Sequence, residues 1–168
     1  MLLTANDWWD YFARIAVRSK PLSIDLTSYN LYSALRNWKR PSWCSSNLPR
    51  YCDMNPAQKL LFMMNVTAEE SRIYFTSAKD KVGRSSAEVS FLKKYLPRIG
   101  CYVHPANHSK VVLMRFLDGS FRLWSGSCNL TSSKSTPFYD TMCEVVNLFD
   151  KKNHLQLLRR IKEESREV

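Results

Sequence analysis

The chain has 168 residues, of which 45% are hydrophobic and 24% charged, which suits a single globular domain over 1–168 with a real core. Twenty-five Lys and Arg stand against 15 Asp and Glu, a net charge of +10. A balance this basic attracts polyanions, nucleic acid above all, although solvated basic faces alone also account for it. Cys44, Cys52, Cys101, Cys128 and Cys143 are odd in number and irregularly spaced, so no disulfide framework is implied and a reducing cytoplasm fits best. Cys44 and Cys52 form no C-x2-C pair and have no second half, so buried or free thiols outweigh a metal site. The N-terminus lacks the basic-then-apolar pattern of a signal peptide, and no apolar stretch is long enough for a membrane span.

In chain order, residues 5–18 read as a helix. Trp8, Tyr11, Phe12 and Ile15 share a stripe at helical spacing, with Asn6 or Thr4 as N-cap, and Pro21 ends the helix. The stripe is either core or a surface for a partner. Leu22–Leu26 reads as a short buried strand. Residues 39–56 are rich in Pro, Ser and Asn and form a long loop, either functional or mobile. Its Lys39, Arg40 and Arg50 interleave with Trp43 and Tyr51, a pattern that suits phosphate contact and base stacking, or equally a surface loop pinned by aromatic anchors.

Leu60–Val66 is an apolar run broken only by Asn65 and reads as a buried central strand. Residues 67–70 spell a capping box while Arg72–Phe75 alternates like a strand, and the sequence does not choose between them. Residues 77–86 form a polar loop whose Lys79, Lys81 and Arg84 are placed to line a groove for an anion. A helix over 86–96 ends near Pro97, and Cys101–His104 follows as a strand. Beyond the polar connection from Thr131 to Thr141, Cys143–Phe149 reads as a second buried strand. The tail from Asp150 is an amphipathic helix with Leu155, Leu158 and Ile161 on one side.

The stretch His108–Asn129 organises the rest. Two apolar-rich runs, Val111–Leu117 and Ser120–Trp124, flank Asp118-Gly119, the strongest hairpin signal in the chain. Closing this hairpin brings His108, Lys110, Ser127 and Asn129 together at one end of a sheet, with His108 and Lys110 on one face by the two-residue period of a strand. A nucleophile or proton carrier then lies beside a fixed positive charge, opposite a Gly-Ser turn and an amide. Such a set suits an oxyanion of phosphorus, and the backbone at Gly126 permits close approach. His104 and His108 are four residues apart, a spacing that gathers metal ligands on a helix, but the stretch reads as strand and turn, so no metal is assigned. His154 is read as an exposed residue of the tail helix.

The pattern H-x-K followed by G-S-x-N resembles the signature of the phospholipase D superfamily, and Glu144 in Cys-Glu-Val-Val matches a glutamate that follows it on the next strand. With one copy of the signature, the chain is similar to the short nucleases and single-motif members of that family. It departs from the pattern where an Asp is usual: Arg115 stands there, Asp118 belongs to the turn, and the segment from Lys110 to Gly126 is longer than the commonest spacing. The resemblance covers about residues 84–150. It implies a helix over Tyr29–Trp38 after the first strand and, with the element order, an α/β sandwich: a mixed central sheet flanked by helices on both faces.

For the chemistry, the resemblance implies a phosphohistidine on His108, phosphoryl oxygens held by Lys110 and Asn129, help from the Ser127 hydroxyl, and Glu144 orienting His108. It also implies a homodimer in which the partner supplies the second His, and a reaction that needs neither metal nor cofactor. The expected activity is cleavage of DNA or RNA, with Arg115 added to the basic residues that bind it. A phospholipid phosphodiesterase, or a nucleic-acid-binding module of weak activity, are the alternatives.

Overall fold

Seven strands build one sheet in the computed structural model: β1 (Ser23–Ser28), β2 (Glu70–Thr76), β3 (Ile99–His104), β4 (Val111–Arg115), β5 (Phe121–Gly126), β6 (Met142–Glu144) and β7 (Arg166–Glu167). Their order is β6-β5-β4-β1-β2-β3-β7. β1, β2 and β3 run parallel, and every other pairing is antiparallel, so the sheet is mixed as expected. The structure describes residues 5–29, 54–76, 89–90, 92–128, 130 and 141–168. The helix expected over Tyr29–Trp38, most of the loops at 39–56 and 77–86, and the connection after Leu130 lie outside these residues.

Helices cover both faces. On one face lie α1 (Ala5–Ser19) and α2 (Pro56–Thr67), with the helical residues 92–95 nearby in the same layer. Their buried side chains, Trp9, Phe12, Leu60, Leu61, Met64 and Leu92 among them, form one cluster with Ile24, Leu26, Ile73, Val112 and Trp124 of the sheet. On the other face α3 (Leu148–Glu164) seats Leu158 on Val111, Leu113 and Leu123. Alternate residues of β4 thus feed opposite cores, as the period of two requires.

The aromatic stripe of α1 is core. Trp9, Phe12, Ala13 and Ala16 are buried at the i, i+3, i+4, i+7 spacing of an inward face. The Phe12 ring meets Trp124 of β5 edge-on at 5.1 Å. The stripe is turned slightly from the expected one, with Trp9 inside and Tyr11 at the exposed margin. Asn6 already lies within the helix and so is not its N-cap; Thr4 is outside the described residues.

Leu60–Val66 is helix, not strand. The cause lies just upstream. Asn55 accepts a hydrogen bond from the Gln58 backbone N–H (2.9 Å), the Gln58 side chain accepts from the Asn55 N–H (2.9 Å), and Pro56 opens the first turn. This is a full capping box with proline pre-set at the helix start. Ala57, Leu60, Leu61 and Met64 then fall on one buried face. Leu and Met favour a helix over a strand, and the cap decides where it starts. The capping-box spelling at 67–70 starts no helix; β2 begins at Glu70.

The hairpin forms at its expected place. Gly119 takes φ 80, and Asp118 accepts bonds from the Ser120 N–H (2.9 Å) and hydroxyl (2.6 Å). The strand expected over Cys143–Phe149 is shorter and more exposed: β6 ends at Glu144, and residues 148 and 149 already belong to α3, capped by Asn147. The two-residue β7, which nothing in the composition announces, pairs with the outer side of β3.

Candidate active site

Three parallel strands end together, and the segment from Pro105 to Lys110 crosses their carboxyl ends before β4 sets off in the opposite direction. β5 runs antiparallel to β4, so its Gly126 returns to the same end. Open α/β sheets place their ligands here, where connections rather than side-chain layers fill the space.

Asn107 fixes the crossing segment. Its side chain is buried; Nδ2 donates to the Tyr74 carbonyl (3.3 Å), and Oδ1 accepts from the Ser109 N–H (2.9 Å) and hydroxyl (2.6 Å). Its own carbonyl accepts from the Thr76 hydroxyl. Thr27 joins the network through Ser109 (3.0 Å) and accepts from the Val111 N–H (2.8 Å). Residues at the ends of β1 and β2 thereby hold residues 107 and 109, and His108 between them faces outward.

His108 and Lys110 meet directly, although both precede β4 rather than sharing a strand face. Lys110 Nζ lies 3.0 Å from His108 Nδ1 and 2.7 Å from the His108 carbonyl oxygen. An ammonium only donates, so Nδ1 accepts and a neutral ring carries its proton on Nε2. Lys110 is buried while His108 is exposed. Tyr29, the residue after β1, places its ring 5.0 Å from the imidazole and 6.0 Å from the Lys110 ammonium. Neither Tyr29 nor Asn107 stood out in the sequence. The usable signal was position: one follows a buried strand directly, and the other directly precedes H-x-K.

Across the hairpin, the Gly126 N–H donates to the Lys110 carbonyl (3.1 Å), which sets the Gly-Ser turn beside the His-Lys pair. A β-carbon on Gly126 would sit 1.9 Å from the Thr141 carbonyl oxygen. The glycine is therefore required by the chain's own backbone, where β6 begins. Ser127 is exposed; its N–H donates to the Thr141 carbonyl (2.8 Å) and its hydroxyl accepts from the Thr141 N–H (3.0 Å). Asn129 lies outside the described residues, as do Lys39, Arg40, Trp43, Arg50, Lys79, Lys81 and Arg84.

Glu144 does not orient His108. Its carboxylate takes both the Nε (2.8 Å) and an Nη (2.7 Å) of Arg122, a two-pronged pair that holds it well below the usual carboxylate range. The register explains this. Met142 faces Gly126 at the His108 end, and Glu144, opposite Trp124, is two residues further away. Arg115 is also remote, at the far end of β4, where it donates to Asp25 (2.7 Å), which Arg72 also approaches (3.3 Å). His104 accepts from the Ala106 N–H on Nδ1 (3.0 Å), so Nε2 faces the Glu164 carboxylate at 3.1 Å with its proton. Among the described residues no three His, Cys, Asp or Glu side chains gather as a metal site would require.

No protein-family model matches the sequence, and no curated protein does. The fold is shared with solved structures. NucT from Helicobacter pylori superposes with a TM-score of 0.58 at 11% identity, over 94% of both chains. TrmBL2, an archaeal chromatin protein, superposes with a TM-score of 0.53 at 8% identity, over 99% of this chain and 53% of the other, so this chain spans about half of that one. At these identities the likeness is one of fold.

Proposed function

We propose that this protein is a phosphodiesterase that cleaves nucleic acid through His108 without a metal. One observation carries the reading: His108 and Lys110 touch, beside the Gly126-Ser127 turn, at the carboxyl ends of the parallel strands. This is the arrangement that H-x-K and G-S-x-N imply in the phospholipase D superfamily. The net charge of +10 suits a polyanionic substrate. TrmBL2, of similar fold, is described as binding DNA, which lends nucleic acid further weight as the partner.

The steps follow from the side chains. An incoming phosphodiester draws the Lys110 ammonium from His108 Nδ1 onto a phosphoryl oxygen. With Nδ1 released, the ring proton passes there from Nε2, and the Nε2 lone pair attacks phosphorus. The N–P bond forms as the bond to the leaving oxygen breaks, and a second His gives that oxygen its proton. Water then displaces His108 from phosphorus and returns a proton to the second His. In this reading the second His is His108 of another copy, so the working unit is a homodimer with the two signatures facing.

A nucleic-acid-binding module that does not cleave is the second reading. It is favoured by the Glu144 carboxylate being engaged by Arg122 and by Arg115 standing where an acid is usual. One experiment separates the two: labelled single- and double-stranded DNA and RNA, excess EDTA, and His108→Ala beside the wild type. Cleavage in EDTA that His108→Ala abolishes, with binding retained, is the expected result. Cleavage lost to EDTA overturns the metal-free mechanism, and binding without cleavage establishes the module.

A further inference from the structure

Among the described residues, the most exposed large hydrophobic side chains lie at the end of the sheet opposite His108. Val146, Leu148 and Phe149 are 74%, 83% and 70% exposed, and Leu117 on the hairpin tip is 82% exposed. All four lie at one pole. β6 runs away from the His108 end and delivers residues 145–149 there, and β4 delivers the 116–120 turn to the same place. Four aliphatic or aromatic side chains this exposed are not the scattered apolar atoms of any surface. Lys151 and Lys152 follow on α3, and a groove of about 390 Å³ between Phe121 and Leu148 carries Lys151, Lys152 and Arg159 on its rim.

We propose that this pole docks on an anionic phospholipid bilayer. A rigid partner would need a pocket for each exposed side chain, whereas the interfacial zone of a bilayer yields around them. The flanking lysines and the net charge of +10 suit acidic headgroups. Asp118 and Asp150 lie beside the same apolar residues, so apolar insertion carries the anchoring and charge selects the lipid. A second copy is the poorer occupant, because a contact between two such poles would bring Lys151, Lys152 and Arg159 of both copies into one interface. Docking here leaves His108 at the pole away from the membrane, free for a soluble polyanion. The surface is therefore independent of the proposed chemistry, and it does not favour the bilayer lipid itself as substrate.

The test is co-sedimentation with vesicles of phosphatidylcholine alone or mixed with phosphatidylglycerol. The proteins are the wild type, the pair Leu148→Ser/Phe149→Ser and the pair Lys151→Glu/Lys152→Glu. Leu148, Phe149 and Lys152 are exposed and Lys151 is half-buried, and circular dichroism checks that both variants keep the fold. The wild type should bind the acidic vesicles and hardly bind phosphatidylcholine. The Ser pair should lose tenfold or more in binding, and the Glu pair several-fold. Wild-type protein that ignores acidic vesicles overturns the proposal. So does a Ser pair that binds as the wild type does, since net charge alone would then explain adsorption. A wild-type dimer that the Ser pair converts to monomer also overturns it, in favour of a second copy.

Discussion

Glu144 separates two wirings of the site. If it oriented His108, Glu144→Ala would cost orders of magnitude in activity. Its carboxylate is on Arg122, so cleavage by Glu144→Ala should stay within a few-fold of wild type in a turnover assay. The pair should show in acid stability instead. The Arg122 hydrogen bonds depress the Glu144 carboxyl below its ordinary 4.5, so its contribution is present above that pH and fades as pH falls through the lower, folded value. With side chains 38% and 36% exposed, the pair is worth less than about 1 kcal/mol. Glu144→Gln should therefore lower the urea midpoint slightly at neutral pH and converge with wild type in strong acid. An unchanged difference at all pH values would contradict the pairing. His108 and Lys110 were legible because the motif names both. Tyr29 and Asn107 were not, because each matters through residues far along the chain: Tyr29 through the His108 ring, and Asn107 through the Tyr74 carbonyl and the Thr76 hydroxyl.

The segment 60–66 shows how one apolar run serves two readings. Five apolar residues in a row, Leu60–Met64, fit a buried strand as well as the inner part of a helix, and only the flank decides. Here the flank is Asn55-Pro56 with Gln58 three residues after the cap, and it outranks the run. Asn55→Ala should cost about 1 kcal/mol, and Leu61→Ala, fully buried in the main core, about 2–5 kcal/mol, both read from urea denaturation. The β4–β5 hairpin was legible because Asp118-Gly119 fixes its turn chemistry. β6 was legible only as a strand somewhere over Cys143–Phe149: its three residues carry too little pattern to set its bounds, and its place depends on Gly126 admitting the Thr141 backbone. Gly126→Ala should disrupt this edge and lower the thermal midpoint; an unchanged midpoint would mean that Thr141 moves aside at little cost.

The described residues are polar in their arrangement, with the His108–Lys110 pair at one end of the sheet and exposed apolar side chains at the other. α3 runs between them, about 25 Å for its 17 residues, from Leu148 at the apolar pole to Glu164 beside His104. Its thiols differ accordingly. Burial pushes the Cys101 thiol up to about 11, so about one in a thousand ionises at pH 8, whereas Cys143 is exposed. Iodoacetamide on the native protein should label Cys143 and spare Cys101 and Cys128 until denaturant is added, with peptide mapping as the readout. Early labelling of Cys101 would mean that the β3 edge opens readily.

That edge has a consequence for long-term behaviour. The sheet is closed on one side by β6, with three residues, and on the other by β7, with two. Amyloid growth needs a long run of unsatisfied backbone donors and acceptors on which an incoming strand can register, and neither margin offers one. Concentrated native protein should therefore age without thioflavin-positive fibrils. Removing residues 166–168, which cover Cys101–Val103 and whose loss leaves the whole outer side of β3 open, should be what brings them on.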